Sequence, residues 1–179
     1  MKTALIIHGI GGHAGIHWQQ WLRDELKKQG YTVLMPTMPN SGHPDRKAWL
    51  ATIVETLQDT ALEDLTIIGH SLGATTALDF LEQATVKVTK FVSVSGFAKD
   101  YGAELNHYFL TEKSIDFEKV KSHTSKAVVI YGDNDPYVTQ DALKYIADCL
   151  SVQPVIISGG GHLNTEAGFT QLPELIGVL

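Results

Sequence analysis

Gly69, His70, Ser71, Leu72 and Gly73 stand between the apolar, β-branched run Leu65 to Ile68 and the helix-compatible stretch Ala74 to Leu81. Strand, five-residue Gly-x-Ser-x-Gly turn and helix, in that order, are the layout of a nucleophile elbow. A turn this tight pushes Ser71 toward a strained backbone conformation. It also brings residues 69 and 73 against adjoining backbone, so both must lack a side chain. The segment therefore commits the chain to a strand inside a sheet with a helix packed behind it. The bare pattern recurs by chance, and its strand-to-helix context is what gives it weight.

The rest of the chain repeats that alternation. Short aliphatic runs at Thr3 to Ile7, Tyr31 to Met35, Leu65 to Ile68, Lys90 to Val94, Ala127 to Tyr131 and Pro154 to Ile157 read as strands. Most are almost wholly apolar, as strands covered on both faces are. Helices fit His17 to Gln29, Asp45 to Asp59, Leu72 to Gln83, Phe117 to Ser122, Thr139 to Leu150 and Glu166 to Leu179. In the second of these Trp49, Ile53 and Leu57 recur every four residues, and Gly30 is placed to stop the first. The expectation is an α/β fold: a six-stranded, mostly parallel sheet with helices on both faces, in one domain spanning residues 1–179. The longest irregular stretch, Ser95 to Phe117, reads as either a functional lid or a decorated loop.

Composition narrows the function classes. Acidic residues outnumber basic ones by 20 to 14, for a net charge of -6, and no Lys/Arg cluster is present to engage a phosphate backbone. Nucleic acid is not expected as a partner. No run approaches the roughly 18 apolar residues of a membrane span. The apolar start, Thr3 to Ile7, is too short for a signal core, so a cytoplasmic location is expected. The single cysteine, Cys149, lies in a helical stretch and reads as an inert, buried thiol.

A serine is a weak nucleophile at neutral pH and needs a base, held in turn by a third group. Gly132, Asp133, Asn134, Asp135 and Pro136 follow the fifth strand, and Ser158, Gly159, Gly160, Gly161 and His162 follow the sixth. The carboxyl ends of parallel strands gather along one edge, so Ser71, an aspartate at 133 or 135 and His162 converge there. Asp135 is favoured, because Pro136 restricts its backbone while Asp133 suits a bond from side chain to turn backbone. An oxyanion needs two backbone donors. Leu72 N–H, at a helix start, is one, and Ile10 N–H, in the loop after the first strand, is the other, with Gly11 N–H as its neighbouring alternative. Phe97, Trp18, Tyr108 and Phe109 are candidate walls of an acyl pocket.

The same glycine-rich loop offers a rival reading. Gly9, Gly11 and Ala14 match the dinucleotide fingerprint Gly-x-Gly-x-x-Ala, which calls for an acidic residue about 20 positions on. Met35, Pro36, Thr37, Met38 and Pro39 stand there instead, so no cofactor is expected. No metal is expected either, since the histidines lack helical i, i+4 pairing beside a carboxylate, and the four-spaced His13 and His17 precede or overlap a helix start without partners.

Taken together, His8-Gly9, His17-Trp18 with Trp21, Met38-Pro39 ahead of Trp49, Gly69 to Gly73, Val94-Ser95-Gly96-Phe97, Asp135-Pro136 and Gly161-His162 resemble the small serine hydrolases related to retinoblastoma-binding protein nine. The likeness runs over nearly the whole chain and is closest to the bacterial members. It implies a minimal α/β-hydrolase with little or no cap and a catalytic Ser71, Asp135 and His162, acting on a small ester or related acyl substrate. The Leu-x-Cys-x-Glu element that links the eponymous protein to the retinoblastoma pocket is absent here, because Asp148 and Leu150 flank Cys149. An expectation of a different class is a binding module that keeps the elbow as architecture.

Overall fold

In the computed structural model, which describes residues 2–179, six strands form one sheet in the order β2-β1-β3-β4-β5-β6. They are β1 (Thr3–Ile7), β2 (Thr32–Leu34), β3 (Leu65–His70), β4 (Lys90–Val94), β5 (Ala127–Gly132) and β6 (Val155–Ile157). Every pairing is parallel, so the sheet has no antiparallel member. β1, β3 and β4 are buried along their whole length, whereas the edge strands β2 and β6 are partly exposed. That matches the apolar continuity of the central runs.

Alternate residues of β1 feed two cores. Leu5 and Ile7 pack with Trp49, Ile53 and Leu57 of α2 (Arg46–Leu57) and with α3 (Leu72–Gln83), α5 (Phe117–Ser122) and α6 (Gln140–Leu150). Ala4 and Ile6 face the other way, onto Leu22 and Leu26 of α1 (Gln19–Lys28) and Leu175 of α7 (Glu174–Val178). The helices start where capping chemistry allows. Asp45 accepts a 2.7 Å bond from Ala48 N–H at the head of α2, and Thr139 a 3.3 Å bond from Ala142 N–H at the head of α6. Gly30, at φ +83°, follows the end of α1.

Two expectations need correction. The stretch Glu166 to Leu179 is not one helix. A 3₁₀ turn at Thr165–Ala167 ends at Gly168, whose φ is +90°, and α7 begins only after Pro173. A left-handed glycine and a proline, both visible in the chain, punctuate that segment. Within the long connection after β4, a short helix α4 (His107–Thr111) forms, with Phe109 and Leu110 buried. Arg46 of α2 pins this segment by donating from Nη1 to the carbonyls of Phe109 and Lys113, both at 2.8 Å. The connection is a small anchored cap. None of the described helices is long and apolar enough to cross a membrane.

β2 pairs with one side of β1 and β3 with the other, so the chain reverses its direction of travel across the sheet between β1 and β3. A crevice opens at the carboxyl ends of strands at such a switch point. The loop after β1 and the turn after β3 flank it.

Candidate active site

Ser71 sits between β3 and α3 with φ +55° and ψ −126°. For a residue with a side chain this conformation costs about 1–3 kcal/mol, and surrounding structure must enforce it. Two bonds do so: Ser71 N–H donates to Val94 O at 2.9 Å, and Ala74 N–H donates to Ser71 O at 3.0 Å. The flanking glycines behave as the tight turn demands. A Cβ at Gly69 would lie 2.5 Å from Ala74 Cα, and one at Gly73 would lie 2.5 Å from the carbonyl oxygens of Ile7 and His8.

The turn after β5 holds the loop after β6 through three successive side chains. Asp133 accepts from Gly159 N–H and Asn134 from Gly161 N–H, each at 2.7 Å. Asp135 Oδ2 accepts from His162 Nδ1 at 2.6 Å. Oδ1 of Asp135 is occupied by the N–H groups of Tyr137 and Val138, which leaves Oδ2 for the imidazole. The Asp135 side chain is 0% exposed and that of His162 only 9%. With Nδ1 donating, the acceptor nitrogen of a neutral His162 is Nε2. Ser71 and His162 line one cleft. Among the described residues no hydrogen bond joins Ser71 Oγ to His162 Nε2, a looseness common in substrate-free sites.

The loop after β1 lines the same cleft, and Leu72 follows Ser71 directly. Gly11 N–H is taken by Ser41 O at 2.7 Å and Gly12 N–H by Gly9 O at 3.2 Å, whereas Ile10 N–H and Leu72 N–H have no acceptor among the described residues. His8 explains the aim of Ile10. Its Nδ1 donates to Gly9 O at 2.7 Å and its Nε2 accepts from Met38 N–H at 2.9 Å. In a trans peptide the carbonyl and the following N–H point apart, so fastening Gly9 O to His8 turns Ile10 N–H the other way. Burial holds the His8 imidazole below its ordinary pKa and keeps this tautomer neutral. Gly9 itself lies so close to the elbow that a Cβ there would be 2.8 Å from Ser71 Cβ.

The cleft encloses about 300 Å³, with Ile10, Ile16, Phe97, Tyr101, Leu105 and Tyr137 as apolar lining and His17, Asn106, Asn164 and Glu166 as polar lining. A space of this size fits a small acyl compound.

A family model described as serine hydrolase matches residues 4–179. The chain belongs to the serine hydrolase family. This serine hydrolase is 31% identical over 180 residues to YdeN of Bacillus subtilis (strain 168), across 99% of this chain and 94% of that one. It is 28% identical over 183 residues to serine hydrolase RBBP9 of Rattus norvegicus, across 99% and 93%. The crystal structure of the ydeN gene product from B. subtilis superposes with a TM-score of 0.91 at 30% identity, over 99% of this chain and 96% of that one. Meta-cleavage product hydrolase CumD of Pseudomonas fluorescens IP01 shares the fold alone, with a TM-score of 0.70 at 13% identity, over 90% and 84%. The fold is that of an α/β-hydrolase.

Of the four aromatic residues considered for the cleft, only Phe97 lines it in this serine hydrolase. Trp18 is fully buried and donates its indole N–H to Leu163 O at 2.9 Å. Phe109 lies in the opposite core, edge-on to Trp49. Tyr108 stacks on His43 and donates to Pro44 O, away from the cleft. Their places are taken by Tyr101 and Leu105 from the anchored cap and by Tyr137 from the turn after Asp135. His17, expected from the sequence to open the first helix, instead has a φ of +59° outside α1 and lines the cleft. Its Nδ1 accepts from Thr165 N–H at 3.1 Å, and burial lowers its pKa. Asn164 and Glu166 follow the His162 loop directly, and that proximity was the available signal.

Proposed function

We propose that this serine hydrolase cleaves carboxylic esters through an acyl-enzyme. Ser71 Oγ attacks the ester carbonyl while His162 Nε2 takes its proton. The amides of Ile10 and Leu72 hold the oxyanion. His162 then returns the proton to the departing alkoxide, and the alcohol leaves. Water, deprotonated by the same imidazole, attacks the acyl-serine and releases the acid. Asp135 keeps Nδ1 protonated and stabilises the imidazolium at each stage. The apolar residues Ile10, Ile16, Phe97 and Leu105 favour a short hydrocarbon acyl group over a charged one.

The observation that carries this reading is the 2.6 Å bond from His162 Nδ1 to a buried carboxylate that has no other side-chain hydrogen-bond partner among the described residues. It leaves one imidazole nitrogen for a cleft shared with a strained serine. The test is an acyl-chain-length series of p-nitrophenyl esters on the purified protein and on Ser71→Ala. Turnover that peaks at short chains and drops by several orders of magnitude in the variant is expected. Undiminished turnover in Ser71→Ala would refute the reading. Covalent labelling of Ser71 by a fluorophosphonate separates it from the binding-module alternative, which predicts an unmodified protein.

A further inference from the structure

The loop that carries His162 is tied down on two sides. Asp133, Asn134 and Asp135 hold it from the turn after β5. From the elbow side, His70 Nε2 lies 3.0 Å from His162 O. Because a carbonyl only accepts, Nε2 carries the proton and donates. Trp18 donates to the next carbonyl, Leu163 O, so two successive carbonyls of the loop are gripped from one layer. That grip coincides with a left-handed backbone at Gly161 and Leu163, with φ of +53° and +48°.

His70 is an expensive residue to keep in that layer. It is 2% exposed, with its ring edge-on to Trp18 and His17 and its centre 5.0 Å from that of His162. Its Nδ1 is buried and has no hydrogen-bond partner among the described residues. An apolar side chain of similar volume would fill the space without an unpaired nitrogen. What such a side chain cannot supply is the donor to His162 O.

We propose that His70 is a positioning residue for the base: its Nε2–H sets the His162 backbone at a fixed distance from the nucleophile. The residue before Ser71 is one peptide bond from it, so this contact gauges the base directly against the elbow. It matters because no Oγ–Nε2 bond is present in the resting structure to do so. Burial also holds the His70 ring neutral, so it adds no second positive charge beside the imidazolium that forms on His162. The inference rests on the proposed role of His162 as the base.

The test compares wild type, His70→Leu and His70→Gln as full chains, using p-nitrophenyl acetate turnover, the rate of fluorophosphonate labelling and thermal unfolding. A displaced base lowers the chemical step, so His70→Leu is expected to lose up to about 100-fold in kcat and in labelling rate with KM nearly unchanged. His70→Gln, whose carboxamide N–H occupies the Nε2 position, is expected to recover most of that loss. A folded His70→Leu with wild-type kcat, or a folded His70→Gln as impaired as His70→Leu, overturns the proposal. If neither variant folds, ¹⁵N-histidine NMR of the wild type decides. The neutral Nε2–H tautomer at residue 70 is expected, and an Nδ1–H tautomer overturns the proposal. A wild type inert to both probes overturns the hydrolase reading and this inference with it, whereas an active wild type beside an unaffected His70→Leu overturns this inference alone.

Discussion

Arg46 on α2 grips both carboxylate oxygens of Asp79 on α3, with Nε 2.7 Å from Oδ2 and Nη2 2.9 Å from Oδ1, and the two side chains are only 4% and 1% exposed. Nη1 of the same guanidinium donates to the carbonyls of Phe109 and Lys113, so one side chain joins two helices to the cap segment. Removing the arginine leaves a buried carboxylate served, among the described residues, by Lys113 at 3.3 Å. Arg46→Ala is therefore expected to destabilise by about 3–5 kcal/mol in urea unfolding. Replacing both partners, as Arg46→Met with Asp79→Leu, should cost clearly less, because no charge is stranded. A single variant no worse than the double one would contradict this account.

The aspartates two residues apart should behave very differently. Asp135→Asn keeps a side chain of the same shape, but its amide no longer enforces the Nδ1–H tautomer of His162. A loss of about 10⁴-fold in kcat is expected on that logic. Asp133→Asn retains an oxygen for Gly159 N–H and should leave ester turnover within about threefold of wild type, since it exchanges a charged acceptor for a neutral one, a difference of about 1 kcal/mol. Steady-state kinetics on both variants decide, and equal losses would mean that the acid has been misassigned.

Gly73 tests the elbow against a nearby control. Its missing side chain admits the backbone of Ile7 and His8, and an added methyl would overlap two carbonyl oxygens. Neither oxygen can move without disturbing β1 and the loop after it, so Gly73→Ala is expected to destabilise by at least about 1–3 kcal/mol. Gly42 has no atom within 4 Å of the corresponding position. Gly42→Ala should be neutral or slightly stabilising. Thermal unfolding of the pair is the measurement, and a Gly73→Ala protein as stable as wild type would exclude the close packing described.

The parts of the fold that were legible in the chain are those where one physical requirement dominates. Strands buried on both faces carry mostly apolar residues, so β1 and β4, the latter despite Lys90 and Ser93, appear in the sequence with the same ends as in the structure. The elbow is equally transparent, because its glycines answer a steric demand. The bond between Asp135 and His162 spans 27 residues, yet strand order alone brings the two loops to one edge. The cleft wall was opaque for the converse reason. Trp18 and Phe109 are aromatic residues near turns, and burial in a core demands the same chemistry from them as a binding wall would. Tyr101, Leu105 and Tyr137 reach the cleft through the path of the anchored cap and the Asp135 turn, which depends on tertiary bonds such as those of Arg46. Residue type alone carries no trace of such bonds.

Two buried imidazoles, His8 and His70, and the half-buried ring of His17 give the protein an acid-side weakness. The pKa values of His8, His17 and His70 are all lowered from 6.5, in each case chiefly by burial, and that of His70 is lowered furthest. Unfolding returns the rings to water, where they bind protons near their ordinary pKa. Below about pH 6.5 the unfolded chain thus holds more protons than the folded one, and the free energy of unfolding must rise with pH across that range. The stability is fully present above pH 6.5 and is lost progressively as the pH falls toward the folded-state values. Exposed carboxylates titrate near pH 4 and stay out of a window kept above about pH 5.5. Urea unfolding at constant ionic strength, stepped from about pH 7.5 to 5.5, should show a falling free energy, and the slope should shrink in His70→Gln because one of the three groups is gone. A wild-type free energy that stays level or rises on acidification would mean that these rings are not held neutral by the fold.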